Sequence, residues 1–252
     1  MSTYQIIIAI LGGLFAGGIN TLAGSGSVIT LSVLTEVLGL PPNVANGSNR
    51  LGVAAQSITS SITFYKKGLL KIGSAKNLIT FTIIGALIGI YTATQISNEG
   101  FRHVFKFLLI LLLFIILLKP SKWLHQDVQP ANLPLYFSIP LYLALGFYGG
   151  FIQMGMGVFF LAVSVLVAKY QMIQANALKL LVTAVYSIPA ILYFHFQGMI
   201  DWKLGGIVAL GQILGGWLTA KFIAGSPKAN LIAHRVLVIA VLAAIIKVFV
   251  FN

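Results

Sequence analysis

Between Tyr4 and Val250 the chain is a succession of apolar runs, most of them near the ~20 residues an α-helix needs to cross a hydrocarbon core of about 30 Å. They cover 4–23, 28–38, 44–65, 72–96 and 101–118, then 133–154, 158–168, 173–196, 204–223 and 231–250. Such runs leave few choices. In lipid every backbone N–H and C=O must be paired within the protein, so the runs must be helices. Charged residues are 8% of the chain and apolar ones 58%, against about 25% charged in a soluble domain, so most of the outer surface must meet lipid. The fold class expected is an all-α polytopic membrane protein. No cysteine is present, which excludes disulfides and thiolate chemistry. The net charge of +12 comes from bases placed between apolar runs. That pattern fits loop ends at an anionic membrane surface, and no nucleic-acid partner is expected. The start, Met1-Ser2-Thr3-Tyr4-Gln5, has no basic segment, so no cleaved signal peptide is expected.

The order of the runs repeats. An offset of 130 pairs Ala45-Asn46 with Ala175-Asn176, Leu51 with Leu181, Ala54 with Ala184, Ser57-Ile58 with Ser187-Ile188, Phe64 with Phe194 and Gly68 with Gly198, and positions 45–85 hold ten identities at that offset. At an offset of 131, Gly24 and Gly26 meet Gly155 and Gly157. The chain therefore reads as a first repeat, 1–118, a cytoplasmic linker, 119–132, and a second repeat, 133–252.

A Gly-x-Gly break and an eleven-residue run, 28–38 or 158–168, follow the opening run of each repeat. Each short run is either the rest of a broken span or the returning arm of a hairpin. Broken spans give parallel repeats and divide the bases evenly between the two sides. Hairpins invert the second repeat. They put Lys66, Lys67, Lys71, Lys76, Lys119, Lys122, Lys169, Lys179, Lys221, Lys228 and Arg235 on one side, eleven bases against the five of Arg50, Arg102, Lys106, Lys203 and Lys247. The excess of cytoplasmic Lys and Arg in membrane proteins favours the second arrangement. The expectation is two inverted repeats, each a broken-helix hairpin plus three transmembrane helices, with both termini outside the inner membrane.

Inverted repeats with interrupted helices are a plan of secondary transporters, which hold substrate near the midplane where the repeats meet. Helix ends inside the membrane carry unpaired N–H groups and partial positive charge, suited to a small anion. The candidate binding residues at the breaks are Gly24, Ser25, Gly26 and Ser27 in the first half and Gly155 and Gly157 in the second. Polar residues inside apolar runs add Asn20, Thr21, Asn46, Asn49, Arg50 and Gln56, then Gln153, Asn176, Lys179 and Tyr186. Arg50 and Lys179 fall at nearly equivalent places. An intramembrane cation usually faces a cavity or a partner. With no carboxylate at a matching position, a bound anion is the expected counter-charge. Pro189 withdraws an N–H from its helix and stands opposite Thr59 of the first half. Paired carboxylates, metal-ligand spacing and an activated nucleophile are all missing from the sequence, so neither an enzyme nor a cofactor is expected.

The run Asn20-Thr21-Leu22-Ala23-Gly24-Ser25-Gly26-Ser27, followed by Leu40-Pro41-Pro42 and Ala45-Asn46-Gly47-Ser48-Asn49-Arg50-Leu51, resembles the first repeat of the sulfite exporter TauE/SafE family, also called the 4-toluene sulfonate uptake permeases. Gly146-Phe147-Tyr148-Gly149-Gly150-Phe151-Ile152-Gln153, Gly155-x-Gly157, Ala175-Asn176-Ala177-x-Lys179 and Gly211-Gln212-x-x-Gly215-Gly216-Trp217 are similar to its second repeat. Ser25 departs from the glycine often found there. The resemblance implies a bacterial inner-membrane transporter of sulfite, sulfonates or related small anions. The expected function is secondary active transport of such an anion, with an anion channel as the alternative. The expected partners are the small anion and the lipid bilayer, with coupling to a proton or sodium and the oligomeric state left open.

Overall fold

The computed structural model describes residues 2–101, 130, 131 and 133–223, with single positions at 103, 104, 107, 110, 242 and 246. The runs expected at 101–118 and 231–250, and most of the linker 119–132, lie outside the described residues. Every regular element among those described is helical. The first half contains α1 (Thr3–Leu22), α2 (Ser27–Ser32) continued by a π-helical turn (Val33–Val37), α3 (Pro42–Lys66) and α4 (Lys76–Gln95). The second contains α5 (Leu135–Phe151), α6 (Met156–Leu161) continued by a π-helical stretch (Ala162–Val167), α7 (Met172–Phe196) and α8 (Trp202–Leu218), which ends in a third π turn (Thr219–Ile223).

The boundaries have local causes. Ser2 and Gln5 form a reciprocal capping box, with the Gln5 N–H on Ser2 Oγ at 3.3 Å and the Ser2 N–H on Gln5 Oε1 at 3.0 Å. Pro42 stands at the first helical position of α3, where its missing N–H costs nothing. Asp201 caps α8 by accepting the Leu204 N–H at 2.8 Å. Pro189 lies within α7 without ending it.

The two halves share several backbone features. α3 and α7 are both 25 residues long, and 130 positions separate their starts and their ends. Past their ends Gly68 (φ 69°) and Gly198 (φ 67°) take the same left-handed conformation. Each 25-residue helix is preceded by another left-handed residue, Gly39 (φ 72°) and Lys169 (φ 60°). The π stretches differ by one residue, five against six, so the second arm absorbs an extra residue there.

α1 and the α2 arm form a hairpin. A Cβ on Gly26 would meet the Ala16 backbone and one on Gly12 would meet Val33 and Ile29, while Gln5 Nε2 donates to the Val37 carbonyl at 3.2 Å. α1, α3 and α8 run the same way, as the neighbour pairs Leu14 with Gly211 and Gly18 with Thr219, and Ser48 with Gly205 and Gln56 with Gly216, establish. α4 and α5 are likewise parallel, with Thr82 beside Gly146 and Ala86 beside Gly150. α3 and α7 run in opposite directions. Phe194 lies over Arg50 and beside Gly47, whereas Phe64 clusters with Ala177 and Leu180. The opening helix of each half packs along the last described helix of the other, α1 on α8 and α5 on α4. Glycines permit both crossings: a Cβ at Gly17 would lie 2.2 Å from the Gln212 carbonyl oxygen, and one at Gly89 2.1 Å from that of Phe147.

Polarity is distributed inside out. Ile7, Leu11 and Phe15 of α1, Ile84, Leu87, Ile88 and Tyr91 of α4, and Leu210 and Leu214 of α8 are exposed, while Asn46, Ser48, Asn49, Arg50, Gln56, Ser57 and Ser60 of α3 are buried. An apolar exterior is what a lipid solvent selects. α1, α4 and α7 are long and apolar enough to cross a membrane. α3 matches α7 in length, but its buried polar face lowers its mean hydropathy.

Candidate functional site

α1 and α5 both stop inside the bundle. An interrupted helix leaves up to four terminal carbonyls without an N–H partner and carries partial negative charge at that end. At the end of α5, Arg50 from α3 supplies the donors. Its Nη1 bonds the Gly149 carbonyl at 3.0 Å, and its Nη2 bonds those of Gly150 and Phe151. Asn46 Nδ2 adds a bond to the Phe151 carbonyl at 3.0 Å. At the end of α1, Lys179 from α7 does the same work. Its ammonium donates to the carbonyls of Asn20 (2.9 Å) and Thr21 (3.4 Å) and to Asn176 Oδ1 (2.7 Å). Each half thus caps the broken helix of the other. Both cations are buried, Arg50 at 0% exposure and Lys179 at 2%. The sequence pointed to a bound anion as their counter-charge; the partners in the structure are main-chain carbonyls and, for Lys179, the Asn176 side-chain oxygen, which attract a cation by charge-assisted hydrogen bonds. Arg50 and Lys179 therefore belong to neither membrane face, although the charge count assigned one to each.

Between the halves the hairpin tips touch. The Gly157 N–H donates to the Gly24 carbonyl at 3.0 Å. A Cβ on Gly24 would come within 2.2 Å of Gly157 Cα, and one on Gly157 within 2.1 Å of Gly24 Cα. The second short arm begins at Met156 and not at Val158, so Gly157 sits in its first turn. Counted from the helix ends, Gly26 and Gly155 are the residues that precede the two arms. Gly24 (φ 75°) then falls opposite Gln153 (φ 61°), not opposite Gly155. Glycine spacing alone had given the other register. Where the first half has a glycine, the second forces a glutamine into a conformation few side chains adopt.

Beside the tips lies a narrow cavity of about 20 Å³, lined by Asn20, Gly24, Ser27, Val53, Gln56, Ser57, Gln153, Met156, Gly157, Lys179, Leu180, Thr183 and Tyr186. Eight of the expected residues are here: Asn20, Gly24, Ser27, Gln56, Gln153, Gly157, Lys179 and Tyr186. Thr21, Asn46, Arg50 and Asn176 stand behind them at the helix ends, and Ser25, Gly26 and Gly155 form the turns. Asn49 lies apart, its Oδ1 accepting from Thr30 Oγ1 at 2.6 Å and from Gln212 Nε2 at 3.1 Å. Val53, Ser57, Met156, Leu180 and Thr183 were not anticipated. Thr183 carried a usable signal, since it falls within a turn of Lys179 and Tyr186 on the same helix face.

Several wall atoms are buried without a hydrogen-bond partner: Asn20 Nδ2, Gln56 Oε1, both ends of the Gln153 amide and the Tyr186 hydroxyl. The described carboxylates, Glu36, Glu99 and Asp201, do not line the cavity. Among the described residues no three His, Asp or Glu side chains gather to hold a metal. The arrangement offers a cation, unpaired polar groups and an apolar patch of Val53, Met156 and Leu180.

Residues 9–248 match the family described as sulfite exporter TauE/SafE. Among curated proteins the chain is 26% identical over 248 residues to the probable membrane transporter protein YfcA of Escherichia coli, covering 96% of this chain and 91% of that protein. It is 27% identical over 207 residues to the probable membrane transporter protein ORF9 of a Sinorhizobium species, covering 82% and 78%. With the probable membrane transporter protein YjnA of Bacillus subtilis it shares 28% identity over 239 residues, covering 84% and 90%. No solved structure matches the chain.

Proposed function

Since the chain belongs to the sulfite exporter TauE/SafE family, we propose that this membrane transporter is a secondary carrier of a small anion, sulfite or a sulfonate among the candidates, across the bacterial inner membrane. The observation that carries the reading is Lys179. A buried ammonium borders the cavity between two interrupted helices, and no described carboxylate stands in its wall. An anion entering there meets a buried positive charge.

The two repeats are inverted across the membrane in this reading, which the opposite directions of α3 and α7 support. Lys66, Lys67, Lys71 and Lys76 flank the loop from α3 to α4, and Lys67 Nζ bonds the carbonyls of Ala220 and Lys221 at 2.9 and 2.8 Å, which brings Lys221 to the same face. Lys169, just ahead of α7, joins them. Glu36, Glu99, Asp201 and Lys203 are at the opposite face, where α1 and α3 begin. The lysine face is then cytoplasmic and the start of α1 outside.

The contact between Gly24 and Gly157 favours a carrier over a channel, because the tips must separate for a solute to pass. Counter-flow in proteoliposomes tests the function. Labelled sulfite or ethanesulfonate on one side should exchange against unlabelled anion on the other, with saturation, and Lys179→Met should reduce exchange at least about tenfold while inserting normally. Flux that neither saturates nor exchanges would establish a channel; exchange unaffected by Lys179→Met would remove the lysine from the site.

A further inference from the structure

Gln56 lies at 0% exposure in the cavity wall. Its amide orientation is assigned from its neighbours. Thr21 Oγ1 lies 2.9 Å from the Gly17 carbonyl and 3.1 Å from Ser60 Oγ; with its hydrogen on Gly17, the group facing it at 2.8 Å is the donor Nε2 of Gln56. The other end, Oε1, is an acceptor with no partner. Gln153 is 97% buried by the same measure of 3% exposure, and its acceptor is also unpaired. Its backbone is held at φ 61°. A strained non-glycine at a tip, whose side-chain amide faces the cavity and the Tyr186 hydroxyl, is the kind of outlier that points to a ligand. The cavity therefore needs more than a positive charge to be satisfied. It has two amide oxygens that only a hydrogen can pair.

We propose that the occupant is an anion carrying its own O–H or N–H donor, and that the side-chain oxygens of Gln56 and Gln153 accept that hydrogen and set the selectivity. The inference rests on the anion reading of the cavity. The charge of Lys179, whose hydrogens rest on Asn20, Thr21 and Asn176, and the amide nitrogens of Asn20 and Gln153 answer the anionic oxygens; the glutamine oxygens answer the donor. An anion of the same size without a donor leaves buried acceptors bare, which weakens its binding.

The test compares ethanesulfonate with 2-hydroxyethanesulfonate, which differ by one hydroxyl, by calorimetry on the purified full-length protein. The hydroxylated anion should bind at least about tenfold more tightly. Gln153→Gly retains the left-handed turn at no steric cost and should reduce that preference severalfold while the thermal midpoint holds or rises. Gln56→Leu should do the same, and because Gln56 also bonds Thr21 and Ser60, Gln153→Gly is the variant that decides if Gln56→Leu does not fold. Equal affinities for the two anions, or a preference unchanged in Gln153→Gly, would overturn the proposal and leave the carrier reading intact. Failure of both anions to bind, with no dependence on Lys179, would instead strike the anion reading itself.

Discussion

Arg50 and Lys179 cap equivalent helix ends, but they differ in what lies on their far side. Arg50 is enclosed by the Gly149 to Phe151 carbonyls and the Phe194 ring, 5.5 Å from the guanidinium carbon, and does not border the cavity. Lys179 does border it. Arg50→Ala should strip α5 of its donors where no water can replace them, lowering stability by on the order of 3 kcal/mol. Lys179→Ala should cost less, since the α1 carbonyls can be wetted from the cavity, and should show its effect in transport. Thermal unfolding in detergent beside proteoliposome flux checks the pair, and equal losses of stability would refute the division of roles. Gly157→Ala sets a Cβ 2.1 Å from Gly24 Cα, with backbone on both sides. The tips must part, at a cost of roughly 1–3 kcal/mol, and the variant should leak anion down its gradient in liposomes.

At the scale of the element, the interesting pair is α3 and α7. Thr59 of α3 donates its hydroxyl to the Ala55 carbonyl at 2.8 Å, while at the matching site Pro189 of α7 has no N–H to offer Val185. Pro189→Ala restores that bond. It should raise the thermal midpoint and, if α7 bends during transport, slow exchange severalfold with little change in apparent affinity. An unchanged rate would exclude bending there. This pair also marks how far the sequence could be read. The 130-residue offset and both breaks are legible because helix length, glycine and proline leave marks in the residues themselves. The partners of Arg50 and Lys179 are not legible, because a carbonyl belongs to every residue and only tertiary packing decides which ones lack an N–H. The register at the tips was misread for a related reason. Gly26 is needed for close approach to Ala16 and Gly24 for its left-handed turn, and the two requirements look alike in sequence. Gln153 satisfies the second requirement without being glycine, so it left no sign.

Over the whole molecule, exposed aromatic side chains mark two belts. Tyr4, Phe196 and Trp202 lie towards the face where α1 begins, and Tyr65 and Tyr136 towards the lysine face. Because the chain has no cysteine, single-cysteine variants report topology without background. Lys203→Cys should react with an impermeant thiol reagent added to intact cells, and Lys71→Cys only after the membrane is opened; the reverse pattern would invert the proposed orientation. The crosswise capping of α1 by Lys179 and α5 by Arg50 has a last consequence. Each half is missing a part that only its counterpart owns, as with two protomers of an obligate dimer that share one polypeptide. A gene cut within 119–132 should yield fragments that accumulate when made together and are degraded by membrane proteases when either is made alone.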